Sequence, residues 1–181
     1  MPNLEDLLTE MIKTVIIQGS SRSKGDTWRV VNYLQLNYEL NVIDLKTKTI
    51  GHYDYEYKNQ NDDFLEVVTQ IIKEYDLIIF ATPVYWYTMS GHMKVFFDRI
   101  SDLLRVHKDL GRQLRGKSMA MISTSNSDDL IPGFNMPFVE SAKYLGMNYA
   151  GDIHTWISSD LIPDDVRNRL DRFMKTLNVP Q

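Results

Sequence analysis

Asp76-Leu77-Ile78-Ile79-Phe80-Ala81-Thr82-Pro83-Val84-Tyr85-Trp86-Tyr87-Thr88-Met89-Ser90-Gly91 joins a strand, an aromatic loop and a helix start in one run. Leu77 to Ala81 is a short unbroken apolar stretch, too brief for a helix and without the alternation of a half-exposed strand. It predicts a central strand covered on both faces. Pro83 cannot donate to a sheet ladder, so the chain is expected to leave the sheet there and carry Val84, Tyr85, Trp86 and Tyr87 past the strand's carboxyl end. Open α/β sheets bind ligands at that end. Ser90 before Gly91 is placed to cap a helix whose apolar face runs through Met93, Val95, Phe96, Phe97, Ile100 and Leu103.

Upstream, Thr14 to Gln18 predicts a first β-branched strand, and Trp28, Val31, Leu34 and Tyr38 recur with helical spacing. Between them lies Gly19-Ser20-Ser21-Arg22-Ser23-Lys24-Gly25-Asp26-Thr27. Serines, cations and glycines at a helix entrance are the ingredients of a monophosphate site: backbone N–H groups and the helix dipole attract the anion, hydroxyls complete its hydrogen bonds, and Arg22 adds a planar fork. Ser20, Arg22, Ser23 and Thr27 are the expected phosphate ligands, Gly25 allows the turn, and Asp26 is read as a cap. The bland alternative is a polar turn in which Asp26 or Thr27 merely caps the helix. A Walker loop would end Gly-Lys-Ser/Thr and a dinucleotide loop would read G-x-G-x-x-G; neither occurs.

The remaining chain continues the alternation. Asn41 to Leu45 reads as a second strand, 46–61 as a polar, tyrosine-rich connection containing Tyr53, Tyr55 and Tyr57, and Phe64 to Glu74 as an amphipathic helix. After the helix of Met93 to Leu104, the stretch 105–117 is locally basic. It reads either as a solvated connection or as an attractor of dinucleotide phosphates. Ser118 to Ile122 predicts the fourth strand, delivering Ser123, Thr124 and Ser125 into a small polar loop that runs to Asp129. Phe134 to Leu145, Asn148 to Trp156 and the stretch opened by Pro163 read as helix, strand and helix. Five strands alternating with helices imply one doubly wound parallel sheet over 1–181 in the order 2-1-3-4-5, which sets the serine loop beside the aromatic loop.

Composition narrows the function. A formal net charge of -4 argues against nucleic acid as a partner, and the absence of cysteine removes disulfides, thiolate catalysis, Fe–S clusters and cysteine zinc sites. Acidic residues follow Met1 where a signal peptide needs a basic flank, and no apolar run reaches membrane-spanning length, so a cytoplasmic protein without a membrane partner is expected. Leu4, Leu7, Leu8 and Met11 suggest an N-terminal helical extension over 1–12.

Pro83, Tyr85, Trp86, Lys94, Phe96 or Phe97, Asp98 and Arg99 resemble the Pro-x-Tyr-Trp…Lys-x-Phe-x-Asp-Arg signature of the NADPH-dependent FMN reductase family. Gly19, Ser20, Arg22 and Gly25 resemble that family's Gly-Ser-x-Arg-x-x-Gly phosphate loop. The resemblance implies a flavodoxin-like three-layer α/β/α sandwich, FMN as cofactor with its ring against Pro83, Val84, Tyr85, Trp86 and Tyr87, and NADPH or NADH as co-substrate. It further implies a third cofactor loop at Ser123, Thr124 and Ser125, although the family's loop there is commonly glycine-rich and this one is not. The expected activity is hydride transfer from the nicotinamide to FMN and then to a small electron acceptor such as a quinone, flavin or azo compound, with no catalytic side chain and often a homodimeric assembly. Two rivals stay open: a flavodoxin-type electron carrier without its own NAD(P)H turnover, and a flavin-free ligand-binding module.

Overall fold

The computed structural model describes residues 12–181, so the expected N-terminal helix lies, Ile12 apart, outside the described residues. Strands β1 (Thr14–Gln18), β2 (Asn41–Asp44), β3 (Leu77–Pro83), β4 (Ser118–Ser125) and β5 (Asn148–Trp156) form a parallel sheet in the order β2-β1-β3-β4-β5. The helices are α1 (Asp26–Tyr38), α2 (Phe64–Glu74), α3 (Gly91–Arg105), α4 (Lys108–Arg112), α5 (Met136–Leu145) and α6 (Asp164–Thr176). The two-residue period of the strands sorts their side chains into two cores. Ile16, Ile79 and Ile122 pack with Val30 and Leu34 of α1 and Leu170 and Met174 of α6. Ile17, Ile78, Phe80 and Met121 pack on the other face with Val68 of α2, Met93 and Phe96 of α3 and Phe138 of α5. Every residue of β3 is buried, as expected for a strand covered on both faces.

β3 runs two residues beyond the expected Ala81, through Pro83. Ala81 accepts the last bond from the β1 side, from the Gly19 N–H at 2.8 Å, while Val84 donates to Thr124 on the other side at 2.9 Å. The donor that Pro83 lacks therefore faces the side where β1 has already ended, and the proline costs the sheet nothing. β4 likewise outruns the expectation: Ser123 and Thr124 belong to the strand and are buried, not loop residues. Their hydroxyls pair across to β5, Ser123 with His154 at 2.9 Å and Thr124 with Thr155 at 3.0 Å, so polar side chains are satisfied inside the sheet. Asp44 ends β2, and Leu45 starts a single 3-10 turn.

Ser90 caps α3 as expected, its hydroxyl accepting from the Met93 N–H at 3.1 Å, and it also donates to the Gly19 carbonyl. Gly19 has no room for a side chain: a Cβ there would lie 2.7 Å from the Met93 methyl carbon. The first turn of α3 thus sits directly on the end of β1. The tyrosine-rich segment is anchored from inside by Arg99, which is 2% exposed. Its guanidinium bonds Asp102 at 2.8 Å, the Gly51 carbonyl at 3.1 Å, the Asn59 carbonyl at 2.9 Å and Asp62, and lies 4.8 Å from the Phe64 ring centre. Tyr53 meets Tyr55 edge-on with centroids 5.3 Å apart.

Candidate functional site

Three loops leave the carboxyl ends of β1, β3 and β4 and enclose one cavity of about 110 Å³. Ser20, Arg22, Asp26 and Thr27 come from the first loop and helix entrance, Pro83, Val84 and Tyr85 from the second, and Thr124, Ser125 and Asn126 from the third. The strand order alone explains the convergence, since β1, β3 and β4 are neighbours.

The first loop is shaped for an anion. Helix α1 has Gly25 as its N-cap and no side-chain capping bond, so its first-turn N–H groups are left for an external oxygen. Gly25 has φ -96°, an ordinary conformation, so its role differs from the expected one of allowing a turn. A Cβ there would stand 3.2 Å from Arg22 Nε, and the glycine makes room for the arginine to lie across it. Arg22 is otherwise open to water, with Asp26 3.8 Å away. Asp26 does not cap the helix as read from the sequence. It pairs with Arg29 at 2.8 Å, and Arg29 reaches on to Asp160 at 2.8 Å. Ser20 and Thr27 are buried against the cavity. Ser23 is not among the lining residues, and its carbonyl accepts from Gln18 Nε2 at 3.2 Å.

The second loop is a two-residue hairpin. Tyr85 and Thr88 exchange both backbone bonds, Tyr85 N–H to the Thr88 carbonyl at 2.9 Å and Thr88 N–H to the Tyr85 carbonyl at 3.1 Å. Trp86 at φ 48° and Tyr87 at φ 64° occupy the left-handed region that this tight turn demands at both central positions. Nothing but glycine, asparagine or aspartate fits there readily, so two aromatic residues hold a strained turn whose tip points away from the core. Trp86 is 92% exposed, and neither it nor Tyr87 lines the cavity. Tyr85 points the other way, its hydroxyl 2.7 Å from that of Ser21, which ties the aromatic hairpin to the serine loop. Ser21 carries no signal of its own in the sequence; only the fold brings it to Tyr85.

In the third loop, Ser123 faces His154 inside the sheet and does not reach the cavity, whereas Thr124 and Ser125 line it. Asn126 joins them, a residue whose place in a short polar loop gave no separate signal. The basic stretch 105–117 lies at the opposite end of the sheet, because α3 runs back along the strands and Lys117 immediately precedes β4. It forms α4 and a solvated connection, with Arg112 paired to Asp109 at 2.6 Å. Among the described residues no cluster of three or more metal-ligating side chains occurs. A larger groove, about 420 Å³, runs between α3 and α5, but its lining of Met89, Phe97, Ile100, Leu104, Pro137 and Tyr144 is mainly apolar and carries no anion-binding geometry.

The family model described as NADPH-dependent FMN reductase matches residues 12–158. A Bacillus subtilis (strain 168) protein provisionally named an NAD(P)H-dependent FMN-containing oxidoreductase, YwqN, is 26% identical over 152 residues, covering 77% of this chain and 82% of that protein. The NADPH azoreductase of Bacillus sp. (strain OY1-2) is 28% identical over 97 residues, 54% of each chain. Among solved structures, the Trp repressor binding protein from Bacillus subtilis superposes with a TM-score of 0.67 at 23% identity, covering 93% of this chain and 98% of that one, a likeness of fold.

Proposed function

Because the chain belongs to the NADPH-dependent FMN reductase family, we propose that it oxidises NAD(P)H through FMN held at the three-loop cavity and passes the electrons to a small acceptor. The observation that carries this reading is the convergence of Arg22, Ser20, Thr27, Tyr85 and Ser125 on one cavity. The donor set fits a phosphate monoester: one solvent-facing cation, two buried hydroxyls and an uncapped helix entrance. At about 110 Å³ the cavity is well below the ~300 Å³ at which drug-sized ligands begin to be enclosed, so it suits the phosphate end, with the rest of the cofactor on open surface beside the hairpin.

Bound FMN supplies the hydride-accepting and hydride-donating chemistry. The protein's part is to bind and orient. Arg22 would hold the phosphate, while Arg29 stays paired with Asp26. The Trp86 and Tyr87 N–H groups are not used by the hairpin's own pairing, and such donors favour negative charge on a ring beside them. Among the described residues nothing covers Trp86, and a flavin beside it would be open to a flat nucleotide first and an acceptor afterward. Quinones, flavins and azo compounds are the acceptor class, and one relative is named an azoreductase. The compartment that regenerates NAD(P)H, the cytoplasm, is where this activity belongs.

A homodimer is part of the same proposal. The apolar groove between α3 and α5, flanked by Tyr144 and Leu104 in contact with water, is the face a second copy would cover. Trp156, at the end of β5, is half-buried under Arg169, whose guanidinium carbon stands 4.9 Å from its ring centre. Leu104→Glu should convert a dimer to a monomer in light scattering; a dimer that survives it moves the contact elsewhere.

The activity is tested by loading the protein with FMN, removing the excess, and adding NADPH or NADH without air. A retained yellow band that bleaches promptly is the expected result. A band that neither nucleotide bleaches would make the protein an electron carrier, and no binding in titration would remove FMN from the account.

A further inference from the structure

In the third loop residues 126–129 are exposed and carry no regular structure, and on the outside Asp128 is tied to Arg169 of α6 at 3.2 Å. One buried side chain reaches it from the neighbouring strand. His154 of β5 stands opposite Ser123 in the register and is 7% exposed. Its Nε2 lies 2.9 Å from the Ser127 carbonyl oxygen and 3.2 Å from Ser125 Oγ, and its Nδ1 lies 2.9 Å from Ser123 Oγ. A carbonyl oxygen only accepts, so Nε2 carries the hydrogen; Nδ1 is left to accept from the Ser123 hydroxyl. Ser125 donates to the same Ser127 carbonyl at 2.7 Å, so its hydroxyl hydrogen is committed within the turn. The turn therefore closes around one oxygen held by the imidazole, and its outer edge, Ser125 and Asn126, lines the cavity.

We propose that His154 is the positioning residue of the third cofactor loop, fixing the Ser125–Ser127 turn against the cavity through its Nε2–H. The proposal rests on the cavity holding FMN. His154 does not itself line the cavity and acts only through the residues it holds. The side chain therefore matters for its donor at the far ring nitrogen, not for its bulk.

Two variants separate donor from bulk. His154→Gln places an amide N–H near the position of Nε2, whereas His154→Met fills similar space without a donor. In fluorescence titration of the full chain with FMN, His154→Gln should bind within about twofold of the wild type and His154→Met roughly tenfold more weakly, the size of one well-placed hydrogen bond. Equal binding by His154→Met, or equal loss in both, overturns the proposal. Wild-type protein labelled with 15N-histidine supplies a second reading that no folding defect can blur: the His154 ring should carry a hydrogen on Nε2, and a neutral ring with its single hydrogen on Nδ1 would contradict the hold on Ser127. A wild type that binds no FMN defeats the cofactor reading, and this proposal with it. A wild type that binds FMN beside an indifferent His154→Met defeats this proposal alone.

Discussion

Asp26 puts a carboxylate at the rim of a site meant for an anion, and its surroundings show how that is tolerated. Arg29 bonds it directly and is itself bonded to Asp160, so the carboxylate's charge is answered on the side away from the cavity. Arg22, 3.8 Å off on the other side, is the cation left to a ligand. Replacing Arg22 with Ala should weaken FMN binding by roughly 10- to 100-fold, the range of a charge-assisted hydrogen bond, with the urea midpoint of the cofactor-free protein unchanged because the side chain is solvated. Unaltered affinity would take the serine loop out of the phosphate site. Asp26→Asn works in the opposite direction: it releases Arg22 and removes a like charge, so FMN should bind about two- to fivefold more tightly, as for a partly screened charge pair. Weaker binding on titration would show instead that Asp26 orients Arg22.

At the scale of elements, the Tyr85–Thr88 hairpin holds two aromatic residues in the left-handed region, each at a cost of roughly 1–2 kcal/mol. Trp86→Gly should therefore raise the stability of the cofactor-free protein by about 1 kcal/mol, part of the relief being lost to the freer unfolded chain. The same variant should alter the spectrum and reduction rate of bound flavin; a stabilised protein with unchanged flavin behaviour would make the strain a packing accident. This turn was hidden in the sequence, since tight hairpins are recognised by Gly or Asn and neither is present between Tyr85 and Thr88. The sheet order was legible because Leu77 to Ala81 and Thr14 to Gln18 are apolar runs of strand length separated by helical periods. Ser123 and Thr124 are not legible as strand: a buried strand end whose hydroxyls pair with His154 and Thr155 looks like a polar loop until those partners, 31 residues away, are in register. Helix α4 was missed because five residues containing Gly111 show no period.

Across the whole molecule, one guanidinium fastens the long β2–α2 connection to the core. Burial alone would raise the Asp62 carboxyl, but hydrogen bonds from Arg99 and from the Gly51 and Phe64 N–H groups outweigh it and hold the group below the ordinary carboxylate range. A depressed folded value means that the unfolded chain takes up the proton first as pH falls. The stabilisation is complete above the unfolded value of about 4 and is lost as pH drops through the lower folded one. Asp62→Asn should be less stable at neutral pH, by about 3 kcal/mol for a broken buried pair, and should lose less on further acidification; parallel acid profiles for variant and wild type in urea melts would refute the linkage. The exposed Trp86 has a consequence of an optical kind. The sequence contains three tryptophans, and Trp28 and Trp156 are both partly shielded. Trp86 alone stands almost wholly in water, so its emission lies furthest to the red and a collisional quencher such as acrylamide reaches it first. The protein carries its own lamp at the mouth of the cleft, and the dimming of that lamp would report each molecule that settles there.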